Sequence, residues 1–492
     1  MKRFFIAFFF LIIIGCNKQE VIITVEVSNQ PDVHTLLYSI PLSGTVCYYF
    51  SDTLQTNEPG KFELSLKMTQ PAFITIWDAG FQNRVKLLVE PGNNYHISLN
   101  PEKNIDITGA NEKGQMLYAT LPAPDYIDMD LKRIAHPYND TLSLISVHEK
   151  IEGLKKSELS EFKELLDGKE ITQSFFDWIR KDRDFYYVSL ETRFLLIKAY
   201  RPFGNGTKID DELLERLAKI YDQYPPNDES LLFSSFWNEY ATGFVKDYKR
   251  FIQEDFDVQK LQELRKTGTN GAYIINESKK QFSEKALEIF RASYICSECY
   301  EFGSFEKELI SLFEQFENDY PKSEYSKYLN PYIGKIIDYH RISEQAFDPS
   351  MLFMDNYENI RTLEEAIKPL RGKKVYIDVW ASWCAPCKSE FAHNESLKKI
   401  LAENDIQQLY ISIDTDEKDR EWKNMIKYYH LTGTHIRANE EFSRDLMIRF
   451  SKNAERPYIS IPWYLMIDEK GNIMKEHAES PSQIVSGEKL IE

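Results

Sequence analysis

Two cysteines three positions apart, Cys384 and Cys387, are the residues of this chain best suited to do chemistry. They follow an apolar, β-branched run at 376–380 and stand at the start of a segment with helical character. A thiol at a helix N-terminus faces unpaired backbone N–H groups and the positive end of the helix dipole, which favour the thiolate. We expect Cys384 to be exposed and Cys387 to lie one turn inward, within disulfide reach. The spacing predicts thiol–disulfide exchange in which Cys384 attacks and Cys387 resolves.

A second pair with the same spacing, Cys296 and Cys299, has a different context. It follows the helical pattern of 286–295, so it lies at the end of a helix, where the dipole does not favour a thiolate. A structural disulfide, two reduced thiols and a redox pair all stay open. No Cys or His with ligand spacing lies nearby, so no zinc site is predicted. Cys47, alone in a strand-like run, is expected to be a buried small hydrophobe.

The composition is that of a large, acidic globular protein. Its 492 residues predict two to four domains. The formal net charge of -17 and the absence of basic runs argue against nucleic-acid binding. The scattered histidines form no metal motif, and the predicted chemistry requires neither a metal nor an organic cofactor.

The first sixteen residues have the pattern of an export signal. Basic residues 2–3 precede an apolar run at 4–14 that is too short to span a bilayer comfortably. Residues 13–16 resemble a bacterial lipobox, in which Cys16 is lipidated and becomes the mature N-terminus. A plain secretory signal with a chance cysteine is the alternative. Asn17, in place of Asp, favours the outer membrane, and either reading puts the body of the protein outside the cytoplasm.

Three regions follow the signal. Short β-branched runs separated by turn residues predict a small antiparallel β-sandwich over 17–109. Amphipathic patterns predict an α-helical domain over 110–345. The strand region shows no catalytic cluster, so we expect a structural or interaction role there. Residues 346–492 alternate strands and helices and end in a hairpin, which predicts a three-layer α/β domain.

This last region resembles a known family in several segments. Asp-Val-Trp-Ala-Ser-Trp-Cys-Ala-Pro-Cys at 378–387 resembles the active-site segment of thioredoxin-fold proteins. The segments 374–380, 410–414, 461–462 and 465–471 follow the order of the TlpA/ResA group of membrane-tethered, extracytoplasmic thiol–disulfide oxidoreductases. The layout of signal, β domain, helical domain and thioredoxin-like domain is also similar to that of large bacterial thioredoxin-like lipoproteins.

The resemblance implies roles for the residues around the cysteine pair. Cys384 would be the nucleophile, and Cys387 would close the intramolecular disulfide and release the product. Pro386 fits the first turn of a helix, where a missing N–H costs little. Trp383 would pack beside the thiol, with ordinary burial as the alternative.

Asp378 is a carboxylate within an otherwise apolar strand. Such a group should be buried and have a raised pKa. The matching Asp of thioredoxins takes and returns the proton of the resolving cysteine, which implies the same relay between Asp378 and Cys387. A structural hydrogen bond is the alternative.

Two further positions are read from the family pattern. Ile461-Pro462 matches the family's cis-proline, whose loop would present the Ile461 backbone to an extended substrate. A trans proline at a strand start is the alternative. Ala392 stands where the family usually has a helix-kinking proline, so the helix that follows the cysteines is expected to run straighter.

The sequence therefore predicts a lipid-anchored thiol–disulfide oxidoreductase that reduces or isomerises protein disulfides. Its expected partners are protein or peptide disulfides and thiols, a membrane electron donor, and the membrane itself through the anchor. The expected location is the cell envelope, at the outer membrane facing the periplasm or at the cell surface. The alternative is a binding lipoprotein that carries the thioredoxin-like domain as a redox-responsive appendage.

Overall fold

A computed structural model describes most of the chain after the export signal. The described residues are 18–28, 33–42, 45–78, 84–99, 105–122, 127–134, 143–300, 305–451 and 458–487. Cys16 and its predicted lipidation lie outside these residues, as does the side chain of Cys47. Within these ranges, no helix combines the length and apolarity needed to cross a membrane.

The chain forms two compact units. The first comprises Met1–Glu301 and Glu306–Asn330, and the second comprises Phe302–Phe305 and Pro331–Glu492. The predicted strand-rich region and most of the predicted helical region are in the first unit, whereas residues 331–345 of the helical region are in the second. The α/β region is in the second, so the chain is multi-domain, as predicted.

Eight strands of the first unit form two four-stranded sheets. The strands are β1 (Gln19–Val27), β2 (Thr35–Leu42), β3 (Thr45–Gln55), β4 (Lys61–Met68), β5 (Ala72–Asp78), β6 (Arg84–Val89), β7 (Asn94–Leu99) and β8 (Ile105–Gly109). The sheet orders are β4-β1-β7-β8 and β3-β2-β5-β6. Alternate residues of both sheets, among them Ile23, Ile97, Ile74 and Leu87, contribute to one buried apolar cluster. The period of two in these strands is what buries one face of each sheet.

One strand pair departs from the predicted antiparallel arrangement. β1 and β7 run parallel, with Ile23 opposite Tyr95. Parallel neighbours require a long crossover, which the chain between β1 and β7 provides by forming five other strands. Strand runs read one by one do not reveal this long-range pairing.

The helices of the first unit follow the strands. They are α1 (Glu112–Thr120), α2 (Ile127–Ile134), α3 (Leu144–Asp167), α4 (Gln173–Gly204), α5 (Asp211–Gln223), α6 (Trp237–Gly243), α7 (Lys249–Ile252), α8 (Val258–Thr267), α9 (Asn270–Lys279), α10 (Glu284–Tyr300) and α11 (Lys307–Asp319). A π-helical turn, Phe244–Tyr248, joins α6 to α7. α12 (Ser326–Ser343) continues from the first unit into the second.

A buried ionic network joins the strands to the helices within the first unit. Arg183 of α4 is fully buried, and its Nε donates to Glu158 of α3 at 2.9 Å. The Tyr118 hydroxyl of α1 donates to Asp182 at 3.1 Å. The Lys86 side chain of β6 also interacts electrostatically with Asp182 and Arg183. The network therefore connects one strand, β6, to three helices, α1, α3 and α4.

The second unit is built on one six-stranded sheet. Its strands are β9 (Met351–Phe353), β10 (Lys374–Trp380), β11 (Ile406–Ser412), β12 (Gly433–Arg437), β13 (Trp463–Ile467) and β14 (Ile473–Lys475). The order is β14-β13-β10-β11-β12-β9, with β10 parallel to β11 and antiparallel to β13. β10 is buried along its length because it pairs on both edges and is covered on both faces.

Short helices cover this sheet. They are α13 (Leu363–Ile367), α14 (Ala385–Glu390), α15 (Asn394–Glu403), α16 (Asp419–Tyr428), α17 (Glu440–Phe450) and α18 (Pro481–Val485). The expectation of a straight helix after the cysteines is wrong, because a 3₁₀ turn at Phe391–His393 separates α14 from α15. The turn places the Phe391 ring edge-on against Trp380, at 5.1 Å between centroids. The helix is therefore interrupted even though Ala392 replaces the family's proline, and the interruption coincides with packing of Phe391 in the core.

Candidate active site

The Cys384–Cys387 pair lies where the chain leaves β10 and enters α14. Cys384 is the N-cap residue of α14, and its Sγ accepts the Cys387 N–H at 3.2 Å. The two cysteines form a disulfide with their Cα atoms 5.3 Å apart. Pro386 stands in the first turn, where no helical partner for its nitrogen is needed.

The exposure of these residues differs from the prediction. Cys384 is only 4% exposed and Cys387 is fully buried, so the expectation of an exposed Cys384 is wrong for the disulfide form. Both belong to the apolar core of the unit, against which Ile461 and Trp463 pack. Trp383 is 59% exposed, so the alternative of ordinary burial for this residue is also wrong. The disulfide is therefore buried, whereas the side chain of Trp383, which precedes Cys384 in the sequence, is exposed.

A buried carboxylate anchors the loop that leads to the cysteines. Asp414, 1% exposed, accepts the Ser382 N–H at 2.8 Å and the Ser382 hydroxyl at 2.7 Å. It also accepts the Ser412 hydroxyl at 2.7 Å. A buried carboxylate that accepts several donors is a rigid anchor. Asp414 belongs to one of the family segments, but no role was predicted for it from the sequence. The signal that could have found it is an Asp that follows an apolar strand.

Asp378 lies in the middle of the sheet. It pairs with Tyr410 of β11 on one side and with Tyr464 of β13 on the other, and it is 1% exposed. No side chain or backbone group in the described part of the chain bonds either carboxyl oxygen. Burial raises the pKa of Asp378 to about 8, and the negative charge of Glu390 contributes to the rise. The acid is thus protonated at neutral pH and able to titrate just above it.

Tyrosines form much of the wall around Asp378. The Tyr376 and Tyr464 rings stack at 5.7 Å between centroids, and Tyr410 lies on the opposite strand. Burial raises the pKa of all three phenols, and the charge of Asp378 adds to the rise. They therefore stay neutral and keep the surroundings of Asp378 poor in charge.

Glu390, for which no role was predicted from the sequence, belongs to this site. It is the last residue of α14, three positions after Cys387, and it is half-buried. Its carboxylate accepts the Ser482 N–H at 2.9 Å and the Ser482 hydroxyl at 3.0 Å. The spacing from Cys387 could have indicated it, since residues three apart share a helix face.

The predicted cis-proline segment lies at the end of the sheet where β10 leads to Cys384. The Ile461–Pro462 peptide bond is cis. Trp463, the next residue, opens β13 opposite Val379, one residue before the end of β10. Because β10 and β13 are antiparallel, the entry to β13 meets the exit of β10, from which the chain continues to Cys384. The fold thus brings Pro462, Asp378 and the disulfide to one region.

The second cysteine pair lies elsewhere, near the C-terminus of α10 in the first unit. Cys296 and Cys299 are not joined by a disulfide. Burial raises the pKa of Cys299 to about 12, and the neighbouring Glu298 adds to the rise. A thiol with this pKa has very little thiolate at neutral pH, which disfavours exchange chemistry.

Comparisons with known proteins match the second unit. The Redoxin family model matches residues 363–489. The thiol-disulfide oxidoreductase ResA of Bacillus thuringiensis subsp. konkukian is 27% identical over 114 residues, which are 22% of this chain and 57% of ResA. The thioredoxin-like protein YneN of Bacillus subtilis is 26% identical over 128 residues, 26% of this chain and 69% of YneN.

Solved structures match the same part of the chain. The crystal structure of StoA from Bacillus subtilis is 22% identical, with a TM-score of 0.19, over 24% of this chain and 84% of StoA. The chain spans only 57% of the length of the first ResA relative. The family match, the ResA relatives and the cysteine pair agree on the type of domain. Through its C-terminal unit, the chain belongs to the TlpA/ResA-like proteins of the thioredoxin family.

Proposed function

We propose that the chain is a membrane-anchored, extracytoplasmic thiol–disulfide oxidoreductase that reduces or isomerises protein disulfides. The observation that carries the proposal is the Cys384–Cys387 disulfide at the start of α14, in the same sheet region as the buried acid Asp378. The Redoxin match and the ResA relatives support the same chemistry. In this proposal, Cys384 attacks and Cys387 resolves.

The proposed reaction transfers two electrons from the protein dithiol to a substrate disulfide. The Cys384 thiolate attacks one substrate sulfur, a mixed disulfide forms, and the other substrate sulfur leaves as a thiolate. The Cys387 thiol then loses its proton and attacks Cys384 Sγ, which releases the second substrate thiolate and closes the protein disulfide. A dithiol donor restores the reduced protein by the reverse exchange, and we assign that task to a membrane electron donor.

Asp378 has the proton affinity that this cycle needs. With a pKa of about 8, its carboxyl group can accept the proton of Cys387 during resolution and return it when the disulfide is reduced. We propose this relay in preference to a structural hydrogen bond, because neither carboxyl oxygen has a partner in the described chain. The resolving step should then accelerate as the pH rises toward about 8.

The substrate would lie along the edge formed by the Ile461–Pro462 loop and Trp383. The loop stands at the entry of β13 and can offer the Ile461 backbone to an extended peptide. The exposed Trp383 ring offers an apolar contact next to Cys384. Both features favour a peptide or protein substrate over a small thiol.

The remaining predictions form part of the proposal. Cys16 would carry the lipid that holds the protein at the outer membrane, facing the periplasm. The domains would be 17–109, 110–345 and 346–492, with the first a β-sandwich. The cluster of apolar residues shared by both four-stranded sheets supports that architecture.

A trapping experiment tests the function. In Cys387→Ser, the mixed disulfide on Cys384 cannot be resolved, so partner proteins should accumulate on it in envelope extracts. The matched control Cys384→Ser should trap none, because it lacks the attacking thiol. No trapped partner, together with no disulfide reductase activity of the unmodified protein, would refute the enzyme and leave the redox-responsive binding lipoprotein.

A further inference from the structure

The carboxylate of Glu390 is held by one residue of the C-terminal segment. Ser482 donates its backbone N–H to Oε2 at 2.9 Å and its hydroxyl to Oε1 at 3.0 Å. Both oxygens of the half-buried carboxylate are thus engaged by the same residue. A carboxylate that accepts two donors from one residue has a defined direction as well as a defined position.

The segment that contains Ser482 is itself fixed to the sheet. The Ala478 N–H donates to the Tyr464 carbonyl at 3.0 Å, and the Tyr376 hydroxyl donates to the Glu479 carbonyl at 2.7 Å. Ile484 is buried against the same sheet face. Ser480 and Gln483 form a capping box at the start of α18. These contacts make the 478–485 segment a rigid support for Ser482.

The two tyrosines that anchor this segment also flank Asp378. Tyr464 stands opposite Asp378 on β13, and Tyr376 lies two residues earlier on the same face of β10. The Glu390 charge acts on Asp378 and on both of these tyrosines. The supported carboxylate therefore lies over the part of the sheet that contains Asp378.

Few other ionisable groups share this environment. Those that act on Asp378 or on its tyrosine neighbours come from five elements: Tyr376 (β10), Tyr410 (β11), Tyr464 (β13), Glu390 (α14) and Glu395 (α15). The tyrosines are neutral near pH 7, and Glu395 acts on Tyr410. Burial is the main cause of the raised pKa of Asp378, and the Glu390 carboxylate is the charge that adds to it.

We propose that Ser482 is a positioning residue of the exchange site, which holds the Glu390 carboxylate toward Asp378 so that Asp378 keeps its proton while the disulfide is intact. This inference rests on the proposed function. When an incoming thiolate attacks Cys384 Sγ, the S–S bond breaks and its electron pair passes to Cys387. The proton retained on Asp378 then neutralises that thiolate.

The test is the titration of Asp378 in the oxidised full-length protein. Carboxyl ¹³C NMR on protein labelled at aspartate follows the midpoint, and Asp378→Asn assigns the signal. Ser482→Ala removes one donor and lets the Glu390 side chain turn away. The Asp378 midpoint should fall by about 0.3 to 1 pH unit, and by more in Glu390→Gln, which removes the charge. Ser482→Thr keeps the hydroxyl and should restore the original midpoint.

Two further variants distinguish the Ser482–Glu390 contact from a general change in α18. Ser486→Ala removes an exposed hydroxyl one turn later and should leave the midpoint unchanged. Glu390→Asp keeps the charge but cannot reach Ser482, so it should lower the midpoint without any change in α18, even if Ser482→Ala fails to fold. An unchanged midpoint in Ser482→Ala or in Glu390→Asp would overturn the proposal. The titration needs no substrate, so failure to trap a partner would refute the function and leave this result standing.

Discussion

Two buried aspartates of the second unit, Asp414 and Asp378, have opposite environments. Asp414 accepts three donors from two serines and belongs to the scaffold. Asp378 has no partner in the described chain, and burial raises its pKa to about 8. An unsatisfied carboxylate in an apolar site is stabilised by taking a proton. Residue type alone does not separate these two roles, since hydrogen-bond satisfaction decides between them.

The first prediction concerns Asp378 and the free energy of unfolding. In the unfolded chain its carboxyl group has the ordinary aspartate pKa of 3.8, whereas the folded protein holds the proton up to about pH 8. Well below pH 3.8 the carboxyl group is neutral in both states and does not oppose folding. As the pH rises from there to about 8, the unfolded chain ionises while the folded protein keeps the proton, so folding carries a growing free-energy penalty. Asp378→Asn removes the penalty, so the variant should be more stable than the wild type by about 2 to 4 kcal/mol near pH 7.

Urea unfolding at several pH values measures this difference. The gain should become small near pH 4 and disappear below about pH 3, where the aspartate is neutral in both the folded and the unfolded protein. Asp405→Asn, which removes an exposed carboxylate of the same unit, is the matched control and should change stability little. A gain from Asp378→Asn that stays constant between pH 4 and pH 8 would contradict the buried, protonated aspartate.

At the scale of elements, the cysteine pair depends on a short loop between β10 and α14. After the last paired residues of β10 and β11, the Ile413 N–H donates to the Trp380 carbonyl at 2.9 Å. Asp414, the next residue, accepts the backbone N–H and the hydroxyl of Ser382. The Cys384 N–H then donates to the Ala381 carbonyl at 3.0 Å. β11 therefore fixes the start of α14 through side chains as well as through strand pairing.

The second prediction tests this anchor. Asp414→Ala leaves the Ser382 N–H and two serine hydroxyls without their acceptor in a buried site, so it should lower the free energy of unfolding by about 3 kcal/mol. Ser382→Ala removes only one hydroxyl bond and should lower it by about 1 kcal/mol. Urea unfolding measures both values. Equal losses in the two variants would show that neither the Ser382 N–H contact nor the Ser412 hydroxyl contact contributes to stability.

At the scale of the whole molecule, the first unit combines sheets and helices around charged residues. Arg183 is fully buried and paired with Glu158 and Asp182. Its guanidinium also lies over the Tyr186 ring, at 4.1 Å from the centroid. Burial of such a pair is tolerated only when both partners stay in place.

The third prediction follows from this pairing. Arg183→Met keeps apolar volume but removes the guanidinium that pairs with the buried Asp182 and the partly buried Glu158, so it should lower the free energy of unfolding of the first unit by about 3 to 5 kcal/mol. Arg180→Met, which changes a half-exposed residue one turn earlier on α4, should lower it by less than about 1 kcal/mol. Far-UV circular dichroism during urea unfolding reports both. Similar losses in the two variants would contradict the buried network.

The sequence by itself determined the local features of this protein. Short-range patterns are enough to predict the strands β1–β6 and β10, the end-of-helix position of Cys296 and Cys299, and the burial of Asp378. Each of these features depends on neighbours within one element. The resemblance supplied the family and the Pro462 position. Cys16 remains a prediction beyond the described residues.

Only the tertiary structure decided what depends on distant residues. The parallel pairing of β1 with β7, the break between α14 and α15, and the burial of Cys384 arise from contacts between segments far apart in the chain. The contact of Ser482 with Glu390 joins residues 92 positions apart, and no local pattern encodes it. Composition and periodicity fix which faces are buried, but the acceptor that meets each buried donor is chosen by the packing of the whole unit.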